Sequence, residues 1–390
     1  MWIFSVRYDL ATMSMALVLT VLVAGTAFAD SHDDFTCGLD VEEQLQPLGV
    51  SGLSAVVVKN GKILCTATGG IANIEENRPV KPDTIFAWAS VSKTVTAVAV
   101  MQLVDKGIIA LDDDISEHLP FPVRNPTCPD EPITIAQLLT HTSSVREDEY
   151  KGVYRDLYVE GDSPIALGAF VKDYLAPGGA YYDAENNFTD ECPGETYAYS
   201  NIGVGLLGHL IEAVADQPFD RYSRERIFDP LGMTGTAWRL SALDLNNVAM
   251  PYSGNHASGF KAEGHFGFPT YPDGLLRSPP AELARFMIMF MQFGELDGKR
   301  ILSREAIAAM RNVPYPDVAD GQGLLWYYDN VGSRNGLLGH SGFDPGTTSI
   351  MYVIPEDDVG VLMVANGSWN WVHAEGVIDK LFERAAESTL

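Results

Sequence analysis

Two apolar, β-rich runs, Leu53 to Val58 and Ile63 to Thr68, flank the tetrapeptide Lys59-Asn60-Gly61-Lys62. Asn-Gly between such runs is the strongest short-range hairpin signal, because both residues accept the positive φ of a type I′ turn. A second pair closes the chain: Thr348 to Ile354, a Pro355-Glu356-Asp357-Asp358 turn, then Val359 to Ala365. Between the two the apolar spacing becomes helical, at Ile135 to Leu139, Ile202 to Val214 and Ala281 to Phe293, and Val372 to Ala386 reads as a terminal amphipathic helix. Strands at both ends with helices between predict an α/β (α+β) fold. One antiparallel sheet is built from both chain ends, flanked by helices, and carries an inserted, mainly helical lobe.

The 390 residues, 46% of them hydrophobic, suffice for a large core in one long domain or two closely packed lobes. No repeat, low-complexity tract or flexible linker interrupts them. The formal net charge of −26 disfavours nucleic acid and anionic lipid as partners, and a solvated acidic surface is its simplest meaning.

The N-terminus reads as an export signal over residues 1–29. Met15 to Ala24 is apolar but short for a bilayer span, and Ala27-Phe28-Ala29 before Asp30 fits an A-x-A cleavage site. The preceding segment has one basic side chain, Arg7, opposed by Asp9, so an uncleaved anchor or a start at Met13 stays open. Cleavage leaves an exported protein with no stable membrane span. Export in turn makes Cys37, Cys65, Cys128 and Cys192 candidates for two disulfides, with three possible connectivities. Cys128-to-Cys192 is the favoured pair, since both sit in loop-like stretches, NPTCPDEP and TDECPGE, with Cys37-to-Cys65 tying the N-terminal segment to an early strand. Four buried free thiols are the alternative.

Ser90 and Lys93 stand three residues apart at the start of the apolar run Val95 to Val104. One helical turn brings the two side chains together, and a buried lysine loses its proton readily, so it can take one from a neighbouring hydroxyl. S-x-x-K also arises by chance, as a serine N-cap followed by a snorkelling lysine. Two further stretches change that balance: Tyr199-Ser200-Asn201 in PGETYAYSNIGVGLLGHLIE, and Gly339-His340-Ser341-Gly342 before the final hairpin.

Together with LLTHTSSV, IFDPLGMTGT and GLLRSPPAELARF, these elements resemble, in order and spacing, the serine β-lactamase-related family. That family includes class C β-lactamases, DD-carboxypeptidases, D-aminopeptidases and related esterases, and the resemblance runs from about Leu53 to Gly367. It implies a β-lactamase/transpeptidase-like catalytic domain over 30–390. The α/β lobe would span about 30–105 plus 296–390, and the helical lobe about 106–295. Ser90 would be the nucleophile, Lys93 its activator and Tyr199 a general base or proton shuttle to the leaving group. Asn201 would orient the substrate amide and Lys93, while the backbone N–H groups of Ser90 and Phe343 would form the oxyanion hole. Gly342 would keep the strand beside Ser90 free of a side chain.

The third motif departs from the Lys-Thr-Gly of many β-lactamases. Ser341 keeps a hydroxyl for a substrate carboxylate, and a histidine with an ordinary pKa of ~6.5 would give position 340 a switchable charge. Trp326 and Tyr327, in GLLWYYDN, are candidates for an apolar pocket wall, with core packing as the alternative. G-H-S-G-F lacks the second glycine of a G-x-S-x-G elbow, the eight histidines form no metal-ligand pattern, and no phosphate loop is visible. The reading is an exported serine hydrolase acting on amide or ester bonds of a small-molecule or short-peptide substrate, with no metal and no cofactor implied. A class C-like β-lactamase, and a non-hydrolytic sensor that binds or is acylated by a ligand, are the alternatives.

Overall fold

A computed structural model describes residues 37–147 and 156–388. The signal-peptide reading of residues 1–29 lies outside the described residues.

The main sheet contains β1 (Gly52–Lys59), β2 (Lys62–Asn73), β3 (Arg78–Pro79), β4 (Tyr327–Val331), β5 (Arg334–Asp344), β6 (Thr347–Ile354) and β7 (Val359–Ala365). Their spatial order is β4-β5-β6-β7-β1-β2-β3, and every neighbouring pair is antiparallel. The chain ends therefore meet in the middle of the sheet, where Leu53 lies opposite Ala365 and Lys59 opposite Val359. The first hairpin turns as its sequence requires, with φ 50° at Asn60 and 69° at Gly61.

Alternation along the central strands divides the core in two. Leu53, Ala55 and Val57 of β1, with Val361 and Met363 of β7, face one apolar cluster. Val56 and Val58, with Leu362 and Val364, face the other. The first face is covered by α1 (Val41–Leu48) and the terminal helix α5 (Trp371–Glu387), which contribute Leu45, Leu48, Ile378 and Leu381. The second carries the remaining helices, among them α2 (Ser92–Asp105), α3 (Asn201–Ala215) and α4 (Pro280–Met291). No described helix is long and apolar enough to cross a membrane.

The predicted helices are present to within two residues at each end. Two features differ from the sequence reading. The hairpin joining β4 to β5 turns on Gly332-Ser333, a hairpin dipeptide that the sequence reading passed over, so the strand carrying His340 to Gly342 gains a partner on each side. Helix α4, assigned by sequence to the helical lobe ending near 295, packs on the sheet. The Met287 and Met291 side chains fill the space above Gly360 of β7, within 3.0 Å of where a Cβ would stand. Disulfides join Cys37 to Cys65 and Cys128 to Cys192, the favoured pairing.

Candidate active site

The strand end Phe86–Ala87 pairs with Arg277–Ser278 and delivers the chain to a 3-10 turn, Ala89–Val91, that runs into α2. Side chains of β6 hold this turn. Thr347 Oγ1 donates to the Ala87 carbonyl at 3.1 Å, and Ser349 Oγ donates to the Trp88 carbonyl at 2.7 Å. Ala89 has φ 44°, in the left-handed region that a residue with a Cβ rarely occupies, so the backbone is strained immediately before Ser90.

Helix α2 is buried from Ser92 to Leu103, which places Lys93 wholly inside the protein. Its side-chain nitrogen donates to Ser90 Oγ at 3.0 Å and to the Asp273 carbonyl at 2.8 Å. Burial lowers the Lys93 pKa below the ordinary lysine value, opposed in part by the charges of Asp273, Glu147 and Asp344. The Asp273 segment is itself docked on α2, where Thr96 Oγ1 donates to the Pro272 carbonyl at 2.7 Å and Leu276 N–H to Ser92 Oγ at 2.9 Å.

The Tyr199 hydroxyl donates to Ser90 Oγ at 2.9 Å, and its ring lies beneath Lys93 Nζ with the centroid 5.0 Å away. Desolvation pushes the Tyr199 pKa well above its usual value, so the resting side chain is a neutral phenol. Asn201 Nδ2 donates to Glu147 Oε1 at 2.5 Å rather than to Lys93, the partner expected for it.

On the other side runs β5. A Cβ added to Gly342 would stand 2.6 Å from the Trp88 carbonyl oxygen and 2.9 Å from Ser90 N, so only glycine allows this approach of strand to turn. Ser341 N–H points away from β6 and donates to the Tyr327 hydroxyl at 3.0 Å. Strand alternation turns the N–H of Phe343 to that same edge, the side on which Ser90 lies.

His340 departs from expectation. It is 3% exposed, Nδ1–H donates to the Ser341 carbonyl at 2.5 Å, and burial followed by the Lys93 charge lowers its pKa to about 3. The switchable positive charge predicted for position 340 is thus absent in the working pH range, because the imidazole has lost its water and faces a cation. The Ser341 hydroxyl is also engaged, 2.8 Å from the Tyr327 hydroxyl.

These groups border a cleft of about 1570 Å³ lined by Ser90, Tyr199, Asn201, Tyr327, His340 and Phe343, among others. Trp326 does not reach it. The indole is fully buried and stacks on Phe290 at 3.6 Å between centroids, so of the two proposed wall residues only Tyr327 lines the cleft. Sequence reasoning missed Glu147, Tyr158 and Asp344 beside the cleft and Asp273 beneath it. Tyr158 donates to Asp344 Oδ1 at 3.1 Å, and burial together with Asp273 raises the Asp344 pKa to about 7. Only proximity to the motifs in the chain could have singled these acids out.

A sequence profile of the beta-lactamase family matches residues 40–376. Among curated proteins, the chain is 28% identical over 331 residues to penicillin-binding protein 4 of Amycolatopsis lactamdurans, covering 82% of this chain and 81% of that protein. It is 25% identical over 328 residues to Protein flp of Staphylococcus aureus strain N315, covering 84% of this chain but 61% of that protein, so it spans about three-fifths of that relative's length. Among solved structures, the octameric penicillin-binding protein homologue from Pyrococcus abyssi superposes with a TM-score of 0.68 at 27% identity, over 90% of this chain and 76% of that one. With strands from both chain ends in one sheet and the profile running through nearly all of the described residues, this chain belongs to the beta-lactamase family.

Proposed function

We propose that the protein is a serine hydrolase that forms and hydrolyses an acyl-enzyme on Ser90, cleaving amide or ester bonds of small peptide-like or ester substrates. The observation that carries this reading is the convergence of Lys93 Nζ and the Tyr199 hydroxyl on a single oxygen, Ser90 Oγ, at 3.0 and 2.9 Å. The same burial shifts the two groups in opposite directions and so divides the roles. A lysine with a lowered pKa is the proton acceptor for Ser90, whereas a phenol with a raised one is a donor to the leaving group.

In acylation, Ser90 Oγ bonds to the substrate carbonyl carbon and its proton passes to the neutral amine form of Lys93, which the lowered pKa makes accessible. The departing nitrogen or oxygen takes the Tyr199 proton, and the N–H groups of Ser90 and Phe343 receive the oxyanion. In deacylation a water gives its proton to the Tyr199 oxygen and its hydroxide to the acyl carbon. Ser90 Oγ then leaves with the proton held by Lys93, and both side chains return to their starting states.

Two disulfides support placing the protein in an oxidising compartment, consistent with export. The test is Ser90→Ala. Wild type should hydrolyse p-nitrophenyl butyrate and gain the mass of one fluorophosphonate adduct, and the variant should do neither while remaining folded. An adduct on the variant would place the nucleophile elsewhere. Labelling of the wild type without ester turnover would favour the acylated sensor, and rapid nitrocefin turnover the β-lactamase.

A further inference from the structure

Tyr199 is gripped on both sides by one residue. The N–H of Ala198 donates to the His141 carbonyl at 2.8 Å, and the N–H of Ser200 donates to His141 Nδ1 at 3.1 Å. The imidazole lies against the phenol between these two bonds, with ring centroids 4.4 Å apart and planes inclined by 35°. His141 follows the short helix Ile135–Leu139, is 2% exposed and has φ 57°, again in the left-handed region.

The ring is placed for its acceptor. Ser200 is the N-cap of α3 and is buried, and its own N–H precedes the helical ladder, so without His141 that donor would have no partner. An imidazole that accepts at Nδ1 carries its proton on Nε2 and is uncharged. Burial, with Lys93 and His340 nearby, holds His141 in that neutral form. The Nε2 atom is buried with no hydrogen-bond partner, so the ring keeps one nitrogen unsatisfied while the other meets Ser200. Neighbouring backbone bonds brace the grip, from Gly194 N–H to the Thr142 carbonyl at 2.7 Å and from Thr189 N–H to the Ser144 carbonyl at 2.8 Å.

We propose that His141 is the positioning residue for Tyr199, holding the phenol at proton-transfer distance from Ser90 by fixing the backbone on either side of it. The inference rests on the reading of Tyr199 as proton donor to the leaving group. His141 touches neither substrate nor Ser90 in this role and acts through Tyr199 alone.

Two esters with one acyl group separate proton donation from general integrity. Ethoxide must be protonated as it leaves and p-nitrophenolate need not be, so kcat/KM for ethyl butyrate reads Tyr199 and kcat/KM for p-nitrophenyl butyrate serves as its control. His141→Phe keeps a flat ring and loses the acceptor. A misplacement of the phenol on the order of 1 Å should lower ethyl butyrate cleavage about 100-fold and p-nitrophenyl butyrate cleavage less than about 10-fold. His141→Asn places Oδ1 where Nδ1 stood and tolerates the left-handed backbone, so it should stay within about 10-fold of wild type on both esters. In a Tyr199→Phe background, His141→Phe should add no more than about a 3-fold loss, because the group it positions is gone.

Equal losses on both esters from His141→Phe, or full additivity in the double variant, would overturn the inference while leaving the role of Tyr199 intact. If His141→Phe fails to fold, His141→Gly, which suits the left-handed backbone and also lacks the acceptor, takes its place with the same expected split between the two esters, and equal losses in it would overturn the inference. Tyr199→Phe with wild-type dependence on the leaving group would overturn the reading of Tyr199, and the inference with it.

Discussion

Gly342 of β5 lies so close to Ser90 that a methyl group on its Cα would stand 2.9 Å from the serine nitrogen and 2.6 Å from the Trp88 carbonyl. Both obstacles are backbone atoms, which cannot swing aside as a side-chain tip would. The spacing between strand and turn sets the distance between the Ser90 and Phe343 N–H groups. Gly342→Ala should therefore force the two apart and lower the rate of fluorophosphonate labelling by about 100-fold. Thermal unfolding should remain cooperative. Wild-type labelling in this variant would show that the strand's approach does not govern reactivity.

His340 gives a prediction about pH. With its pKa lowered to about 3, the imidazole is uncharged wherever the protein would be assayed. His340→Gln should leave the shape of the pH profile between about pH 5 and 8 unchanged, for carboxylate-bearing and neutral esters alike. A limb near pH 6 to 7 that disappears on this substitution would mean that the ring is hydrated and charged in solution.

Asp344 is the group expected to titrate in that range. A carboxyl raised from about 3.9 in the unfolded chain to about 7 in the fold binds its proton more tightly when folded. Its contribution to stability is therefore complete below about pH 4 and is lost as pH rises through about 7. Urea midpoints at pH 5 and pH 8 should differ more for wild type than for Asp344→Asn, in which that titration is gone. Equal differences in the two proteins would show that the carboxyl is ionised throughout.

The Cys128 to Cys192 bridge closes a loop with a sequence separation of 64 and ties down the segment leading to Tyr199. Asn125 Nδ2 supports the same loop by donating to the Thr189 and Glu191 carbonyls at 3.0 and 2.8 Å. On the chain-entropy account, replacing both cysteines by serine should cost about 4 kcal/mol of stability. Equilibrium urea unfolding measures it. A change below about 1 kcal/mol would mean that the loop is already ordered by its hydrogen bonds.

Local signals in the chain carried over well into the fold. Asn60-Gly61 fixes a turn through backbone conformation alone, and the apolar spacing in α3 and α5 is visible without any tertiary context. Ser90, Lys93 and Tyr199 were legible by type and order, and they converge. The charge state of His340 was not, because it depends on burial and on a cation 247 residues earlier in the chain, neither of which leaves a local trace. Trp326 looked equally suited to a pocket or a core until Phe290, on α4, closed over it. The sheet-packing role of α4 was hidden for a related reason, since an apolar helical face does not say which layer it will cover.

The pairing of β1 with β7 also bears on how the protein is made. These strands are neighbours in the middle of the sheet, yet Leu53 and its partner Ala365 stand near opposite ends of the chain. At a synthesis rate of about 5–20 residues per second, roughly 300 residues take some 15 to 60 s to emerge, and through that interval the apolar edge of β1 has no partner strand. The first hairpin is thus an open template for wrong pairings until the last strand arrives. Expression yield should depend more on keeping nascent chains apart, or on shielding that edge, than on the stability of the finished fold.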